Sequence, residues 1–327
     1  MLMLIFKLPD SDIFYTLEKS QEKNVSFVSF DNKTVLDFKG SIQEISRENI
    51  EGQNISPKSK SPLIEIGKET PESYALKIAQ AKDFIEQNEL KKLVLSRRKL
   101  LMYLDIDSEK KISLTKSFLK FCESYPNAFC YLFEKKGEIW MGGFSEVLGK
   151  FDKKNNSFET MSVAGTVPVE ESWTDKEIEE QKAVTDYIQS ILKKFSSNLK
   201  TSTTKDLISG NIKHLKTDFS AEISPESLDK IISELHPTPA VCGFPKELCA
   251  QGIKSIEHFN REFYAGYIKV ETADFIYYFV NLRCASFFKN YAFLFVGGGI
   301  TLKSDAEKEW QETELKSLAI QNNLIFE

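Results

Sequence analysis

The chain holds little from which to build a thiolate metal site or a disulfide scaffold. Its five cysteines (Cys122, Cys130, Cys242, Cys249, Cys284) form no CxxC pair and no zinc-ligand spacing. An odd count without a framework reads as free thiols in a reducing compartment. Long apolar runs are also missing, and none approaches the roughly 18 residues that a membrane-spanning helix needs. The opening Met1-Leu2-Met3-Leu4-Ile5-Phe6-Lys7 is apolar for six residues and lacks the basic start of a signal peptide. A cytoplasmic protein is expected, with no membrane partner. A net positive charge is lacking too: 43 Lys and Arg against 48 Asp and Glu leave −5, which argues against a nucleic-acid partner. The most compact basic run, Arg97-Arg98-Lys99, lies in an apolar segment and reads as a strand end reaching solvent.

What is present suits a large globular core. The 327 residues suffice for one large domain or two ordinary ones, and 25 phenylalanines can fill an aromatic interior. Thr70-Pro71-Glu72-Ser73 is a helix start, with Thr as cap and Pro in the first turn, and the helix is expected to run to about Asn88. Residues 92–97 read as a strand, 113–123 as a helix, and 129–134 with 138–143 as a hairpin around Lys135-Lys136-Gly137. A helix is expected from Asp175 to about Phe195, and another after Ser224-Pro225-Glu226, ending near His236-Pro237. Three aromatic and β-branched strands follow at 264–270, 275–282 and 291–296. Residues 51–61 are a polar stretch rich in Ser, Asn, Gln and Lys, and the Ser/Thr/Lys-rich stretch 196–210 reads as a surface loop. Helices interspersed with hairpin-spaced strands favour an α+β fold.

Two segments share one arrangement. Ala164-Gly165-Thr166 precedes a helix carrying Glu177 and Glu180, and Gly297-Gly298-Gly299 precedes one carrying Glu309 and Glu312. Capping boxes are expected at Thr174…Glu177 and Ser304…Glu307. Glutamates three apart share a helix face, and two such faces would offer four carboxylates to a hard cation such as Mg²⁺. Two solvated acidic helices would show the same spacing.

Other residues admit two readings as well. Strand alternation puts Lys92, Val94 and Ser96 on one face, so Lys92 is either an inward general base or a strand-end lysine in water. Glu146 follows Gly142-Gly143 at a strand end, beside a substrate or in a surface turn. Arg283, in an apolar strand, needs either a substrate carboxylate or an internal salt bridge. The three glycines 297–299 are not a P-loop but offer backbone N–H groups to an anion. His236, beside two prolines, is a ligand or a structural histidine. Lys316 sits four residues after Glu312, so an ordinary helix-face pair competes with ligand binding.

Taken in order, nine stretches between about residues 90 and 315 resemble the chorismate-utilising enzymes, and within them the isochorismate synthase branch. They are Lys92-Leu-Val-Leu-Ser-Arg97, Ala164-Gly-Thr166, Glu180 with Asp186-Tyr187, Ile212-Lys-His-Leu215 and Leu235-His-Pro-Thr-Pro-Ala-Val241. Arg261-Glu-Phe-Tyr-Ala-Gly266, Leu282-Arg-Cys-Ala285, Phe295-Val-Gly-Gly-Gly-Ile300 and Glu309-Trp-Gln-Glu-Thr313 complete the set. Lysine at position 92 is similar to the branch that activates water, where ammonia-using members have glutamine.

The resemblance implies a mixed-topology sheet core flanked by helices. Residues 66–327 would form the catalytic domain, with residues 1–65 packed on it. It implies chorismate as substrate and Mg²⁺ as cofactor, held by Glu180 and Glu312 with Glu177 and Glu309 behind them. Lys92 would be the general base and Glu146 the general acid. Tyr264, Arg283 and the backbone of Gly297 and Gly299 would hold the enolpyruvyl carboxylate, while Gly165, Thr166, His236 and Lys316 complete the pocket. Isochorismate for menaquinone or siderophore synthesis is the expected product. A salicylate synthase and a non-catalytic chorismate-binding homologue are the alternatives. The oligomeric state is left open, a monomer being slightly favoured because no interface signature is visible. Four positions depart from the family's usual pattern: Phe144-Ser145 for Ser-Pro, Val167 for Arg, Glu262 for Gly and Gln181 for His. None removes a proposed catalytic group, and Phe144-Ser145 bears on where Glu146 lies.

Overall fold

A computed structural model describes residues 3–57, 69–102 and 111–327. Strands β1 (Met3–Lys7), β2 (Phe14–Val28) and β3 (Val35–Ile45) lead into helices α1 (Arg47–Glu51) and α2 (Pro71–Gln87). Then come β4 (Leu93–Met102), α3 (Leu114–Ser124), β5 (Phe129–Lys135), β6 (Glu138–Phe144), β7 (Val147–Asp152), β8 (Ser157–Pro168) and α4 (Asp175–Leu192). Next are β9 (Lys200–Thr201), β10 (Lys205–Ser209), β11 (Ile212–Glu222), α5 (Leu228–Leu235) and α6 (Lys246–Glu257). The chain closes with β12 (Tyr267–Glu271), β13 (Phe275–Val280), β14 (Cys284–Phe287), β15 (Tyr291–Ile300) and α7 (Ala306–Gln321).

The fold is α+β. Its strands form one sheet in the order β10-β11-β8-β7-β13-β12-β2-β1-β5-β6-β14-β15-β4, with β3 added on β2 and β9 on β11. Distant segments meet in this order, yet the pairings are antiparallel throughout. Strand alternation divides the core. Leu4 and Phe6 of β1, with Phe129, Tyr131 and Phe133 of β5, face the cluster that also holds Val184 and Ile188 of α4. Met3, Ile5, Cys130 and Leu132 face the other side, against Phe118 and Leu119 of α3. A third cluster packs Leu93 and Leu95 of β4 against α2 and α6. No helix among the described residues is long and apolar enough to cross a membrane.

Most expected elements form where the sequence puts them, and Thr70 caps α2 through the Ser73 amide at 3.2 Å. Three differ. Residues 196–210 are not all loop, because β9 and β10 lie there, with β10 paired from Lys205↔Lys216 to Ser209↔Ile212. The one buried residue of this edge strand is the polar Ser209, so no apolar alternation announced it. Arg97 does not reach solvent: it is 1% exposed, lies 3.7 Å over the Trp310 ring and donates to Thr313 Oγ1 at 2.8 Å. The cap of α7 is Asp305, not Ser304, and accepts from the Lys308 amide. The polar stretch beyond residue 57 and the domain boundary expected at residue 65 lie outside the described residues. On either side of it, β1 pairs with β5 within the one sheet.

Candidate active site

Helices α4 and α7 and strands β8, β11 and β15 converge on a cavity of about 870 Å³ including its open mouth. Gly297, Gly298 and Gly299 sit inside β15, opposite Ser96, Leu95 and Val94 of β4, and not in a loop. Small side chains are required there for what crosses above them. A Cβ on Gly299 would lie 2.4 Å from Lys92 Cε and 3.1 Å from Glu180 Oε1. A Cβ on Gly298 would face Glu309 Oε2 at 3.1 Å and Glu312 Oε1 at 3.5 Å.

Lys92, at the mouth of β4, donates to Glu180 Oε1. Burial would raise the Glu180 carboxyl, but the Lys92 ammonium outweighs it and holds that carboxyl below its ordinary value. The clash at Gly299 is with the flexible end of a lysine rather than with backbone. Gly299→Ala is therefore expected to shift the melting temperature by only about 2 °C while lowering turnover at least ~10-fold, because Lys92 is pushed aside. Thermal melts beside steady-state rates check this; equal losses of stability and rate would mean that Gly299 serves the fold alone.

Glu146, between β6 and β7, is 3% exposed and lines the same cavity. Burial pushes its carboxyl up to about 8, against a weaker opposing pull from Lys92. At neutral pH it therefore carries its proton and is poised as an acid. The Phe144-Ser145 context leaves it facing the cavity.

The four carboxylates of α4 and α7 meet three lysines. Lys316 Nζ is 2.6 Å from Glu312 Oε1 and also donates to Gly297 O at 2.9 Å, so the helix-face pair and the cavity-lining position coexist. Glu309 Oε1 accepts from Ser304 Oγ at 2.7 Å and from Lys176 at 3.2 Å. Glu309 Oε2 is buried without a hydrogen-bond partner among the described residues. Burial and the neighbouring Glu312 charge raise the Glu309 carboxyl. Glu177 Oε2 instead caps α4, accepting from the Thr174 amide at 3.1 Å, as the capping box required.

At the other end lies Arg283, 8% exposed and without a carboxylate partner among the described residues. It donates to Ser209 Oγ, approaches His214 Nε2 at 3.5 Å and lies 4.7 Å over the Phe144 ring. Burial lowers it to about 10, a nearby Tyr125 opposing. The internal salt bridge allowed by the sequence is thus not found among the described residues. Tyr264 lines the same cavity, its OH 3.0 Å from where a Gly297 Cβ would stand.

Sequence reasoning left His214 without a role, although its stretch belonged to the matching set. His214 Nδ1 lies 3.0 Å from Gly165 O and 3.2 Å from Thr166 Oγ1. The carbonyl can only accept, so Nδ1 carries the proton and Nε2 faces Arg283. Burial, then the Arg283 and Lys316 charges, push it down to about 3, so the ring is neutral. Lys176 was missed as well, since a lysine among acids on a helix looks like solvated surface.

His236 is a correction. It does not line the cavity. It ends α5, with Nε2 3.1 Å from Phe30 O and its ring edge-on to Tyr267. Lys92, Glu146, Gly165, Thr166, Glu180, Tyr264, Arg283, Gly297, Gly299, Glu312 and Lys316 are all brought together at or beside the cavity.

The chain is similar to several known proteins. The vibriobactin-specific isochorismate synthase of Vibrio cholerae is 32% identical over 151 residues, covering 45% of this chain and 38% of that relative. Isochorismate synthase EntC of Escherichia coli is 33% identical over 146 residues, covering 44% and 37%. These matches thus span well under half the length of either relative. Among solved structures, the menaquinone-specific isochorismate synthase MenF of Escherichia coli superposes with a TM-score of 0.78 at 20% identity, over 99% of this chain and 88% of that one. Anthranilate synthase component I of Streptococcus pneumoniae gives 0.68 at 17%, over 97% and 89%. Both show the shared fold. A family model described as "Chorismate binding enzyme" matches residues 13–325, nearly the whole sequence, and the chain belongs to that family.

Proposed function

We propose that this chain is an isochorismate synthase, adding water at C2 of chorismate with loss of the C4 hydroxyl. The observation that carries the reading is a buried arginine with no acidic partner among the described residues, Arg283, sharing one cavity with a buried Glu146 and beside the ion pair Lys92–Glu180. An uncompensated buried cation calls for an anionic ligand. Curated relatives named as isochorismate synthases support the same branch.

In this mechanism the Lys92 ammonium first gives up its proton to solvent as substrate binds, and the free amine then takes a proton from the water that attacks C2. The ring double bonds shift, the C4–O bond breaks, and Glu146 protonates the departing hydroxyl so that it leaves as water. Base and acid act on opposite sides of the ring. Arg283, Tyr264 and the β15 backbone hold the enolpyruvyl carboxylate, and His214 keeps Thr166 and Arg283 in place as a neutral ring.

The residues present fit a divalent cation in chemistry. The donors are all hard carboxylate oxygens, and buried Glu309 Oε2 lacks a partner among the described residues. Among those residues no three acidic or imidazole groups are gathered into a preformed cage; the carboxylates are instead paired with lysines. Glu180 and Glu312 would hold Mg²⁺, with Glu309 and Glu177 behind them, and the ion would neutralise the ring carboxylate. Glu312→Gln is expected to weaken Mg²⁺ binding at least ~10-fold in a calorimetric titration. An unchanged isotherm would move the metal elsewhere.

Chromatography of products from chorismate, with and without Mg²⁺, tests the activity. Isochorismate formed only with the metal supports the proposal. Salicylate plus pyruvate would assign the chain to the salicylate branch, and bound but unconverted chorismate to a non-catalytic homologue.

A further inference from the structure

We propose that Ser209 is a positioning residue for Arg283, and that the β10–β11 hairpin carrying it closes the carboxylate end of the cavity. The inference rests on the reading of Arg283 as the residue that receives a substrate carboxylate. A buried guanidinium in that role must be held in one plane without being neutralised. The partners of Arg283 meet both needs. Ser209 Oγ accepts from Nη1, the neutral His214 ring stands beside Nη2, and Phe144 and Tyr125 offer ring faces at 4.7 and 5.6 Å. A serine hydroxyl accepts a hydrogen bond and leaves the positive charge for a ligand, where a carboxylate would cancel it.

The hairpin is built to bring Ser209 there. Five register pairs join β10 to β11, and the turn between them holds Gly210 at φ 64°, a conformation that favours glycine. A Cβ at that glycine would stand 3.3 Å from Tyr125 OH, so the turn packs against the ring that flanks Arg283. Further along, Trp173 Nε1 donates to Asp206 Oδ1 at 2.9 Å and the Lys213 ammonium lies 5.2 Å over the same ring, which ties the hairpin to the chain entering α4. Behind Arg283 opens a second cleft lined by Lys120, Tyr125, Ser209 and Asn211. Arg283 and Lys316 line both spaces and form the wall between them. Without the Ser209 hydroxyl, Nη1 loses that acceptor, the hold on the cleft side passes to the Tyr125 hydroxyl, and the guanidinium is freer to swing out of the cavity.

The test compares Ser209→Ala, Ser209→Thr and Ser209→Asp in the full chain. Because Arg283 grips a carboxylate that does not react, its misplacement weakens ground state and transition state alike. Ser209→Ala is expected to raise KM for chorismate about 10-fold with kcat changed less than about twofold. Threonine restores KM to within about threefold of wild type, and aspartate, which pairs with Arg283, raises it at least ~100-fold. Phenylglyoxal modification of Arg283, followed by peptide mass spectrometry, provides a readout that needs no substrate. It is expected to run at least about fivefold faster in Ser209→Ala, with the melting temperature unchanged. An unaltered KM, or losses of kcat and KM that follow a drop in melting temperature, would overturn the proposal. Should wild type neither bind nor convert chorismate, the functional reading fails by itself. The modification rates then decide the positioning claim: a faster rate in the alanine variant sustains it, and equal rates overturn it.

Discussion

Lys92→Ala is expected to lower turnover of chorismate on the order of 10³-fold while leaving its dissociation constant within about threefold of wild type. In the proposed mechanism Lys92 serves the water, whereas the substrate's carboxylates are left to Arg283, Tyr264 and the cation that the acidic helices would hold. The substitution also strands Glu180, a largely buried carboxylate that now has the Lys92 ammonium against it. A modest loss of melting temperature is therefore part of the expectation, and a single-turnover experiment with saturating substrate separates it from the chemistry. Retained turnover would remove Lys92 from the mechanism.

Glu146→Gln is the second large effect, again on the order of 10³-fold in kcat, because glutamine keeps the shape of the protonated acid but has no proton to give. The wild-type pH profile follows from the same carboxyl. Burial raises it from 4.5 to about 8, so the acid form persists through neutral pH and kcat is expected to fall as pH climbs past about 8. Stability carries the same sign. The fold binds this proton more tightly than the unfolded chain does, so the contribution of Glu146 is complete below about 4.5 and is lost as pH rises through about 8. Melting temperatures measured from pH 5 to 9 are expected to show Glu146→Gln losing less stability than wild type over that range. Parallel curves would place the titrating group elsewhere.

Much of the site was legible because its residues lie in local patterns that bind them to an element. The capping box at Thr174 fixed the start of α4, and with it the direction in which Glu180 projects. Alternation along β4 put Val94 toward the cavity and Leu93 and Leu95 into the core. The errors share a physical origin, which is that pairing across the fold is invisible locally. Arg97-Arg98-Lys99 read as solvent-facing because neither Trp310 nor Glu314, both more than two hundred residues away, could be placed beside it. His236 and His214 were confused in importance for the same reason. Rigid neighbouring prolines drew attention to the first, while only the sheet brings the second against Gly165 and Arg283. The edge strand β10 left no periodic trace, and Ser209 went unnoticed with it.

The central claim is that water held by this cavity becomes the new C2 hydroxyl as the C4 hydroxyl departs. Incubation of the protein with chorismate and Mg²⁺ in ¹⁸O-labelled water, with mass spectrometry of the isochorismate, tests that claim most directly. The account predicts one solvent-derived oxygen, located at C2. Unlabelled isochorismate would contradict it, because the original hydroxyl would then have migrated without any attack by water.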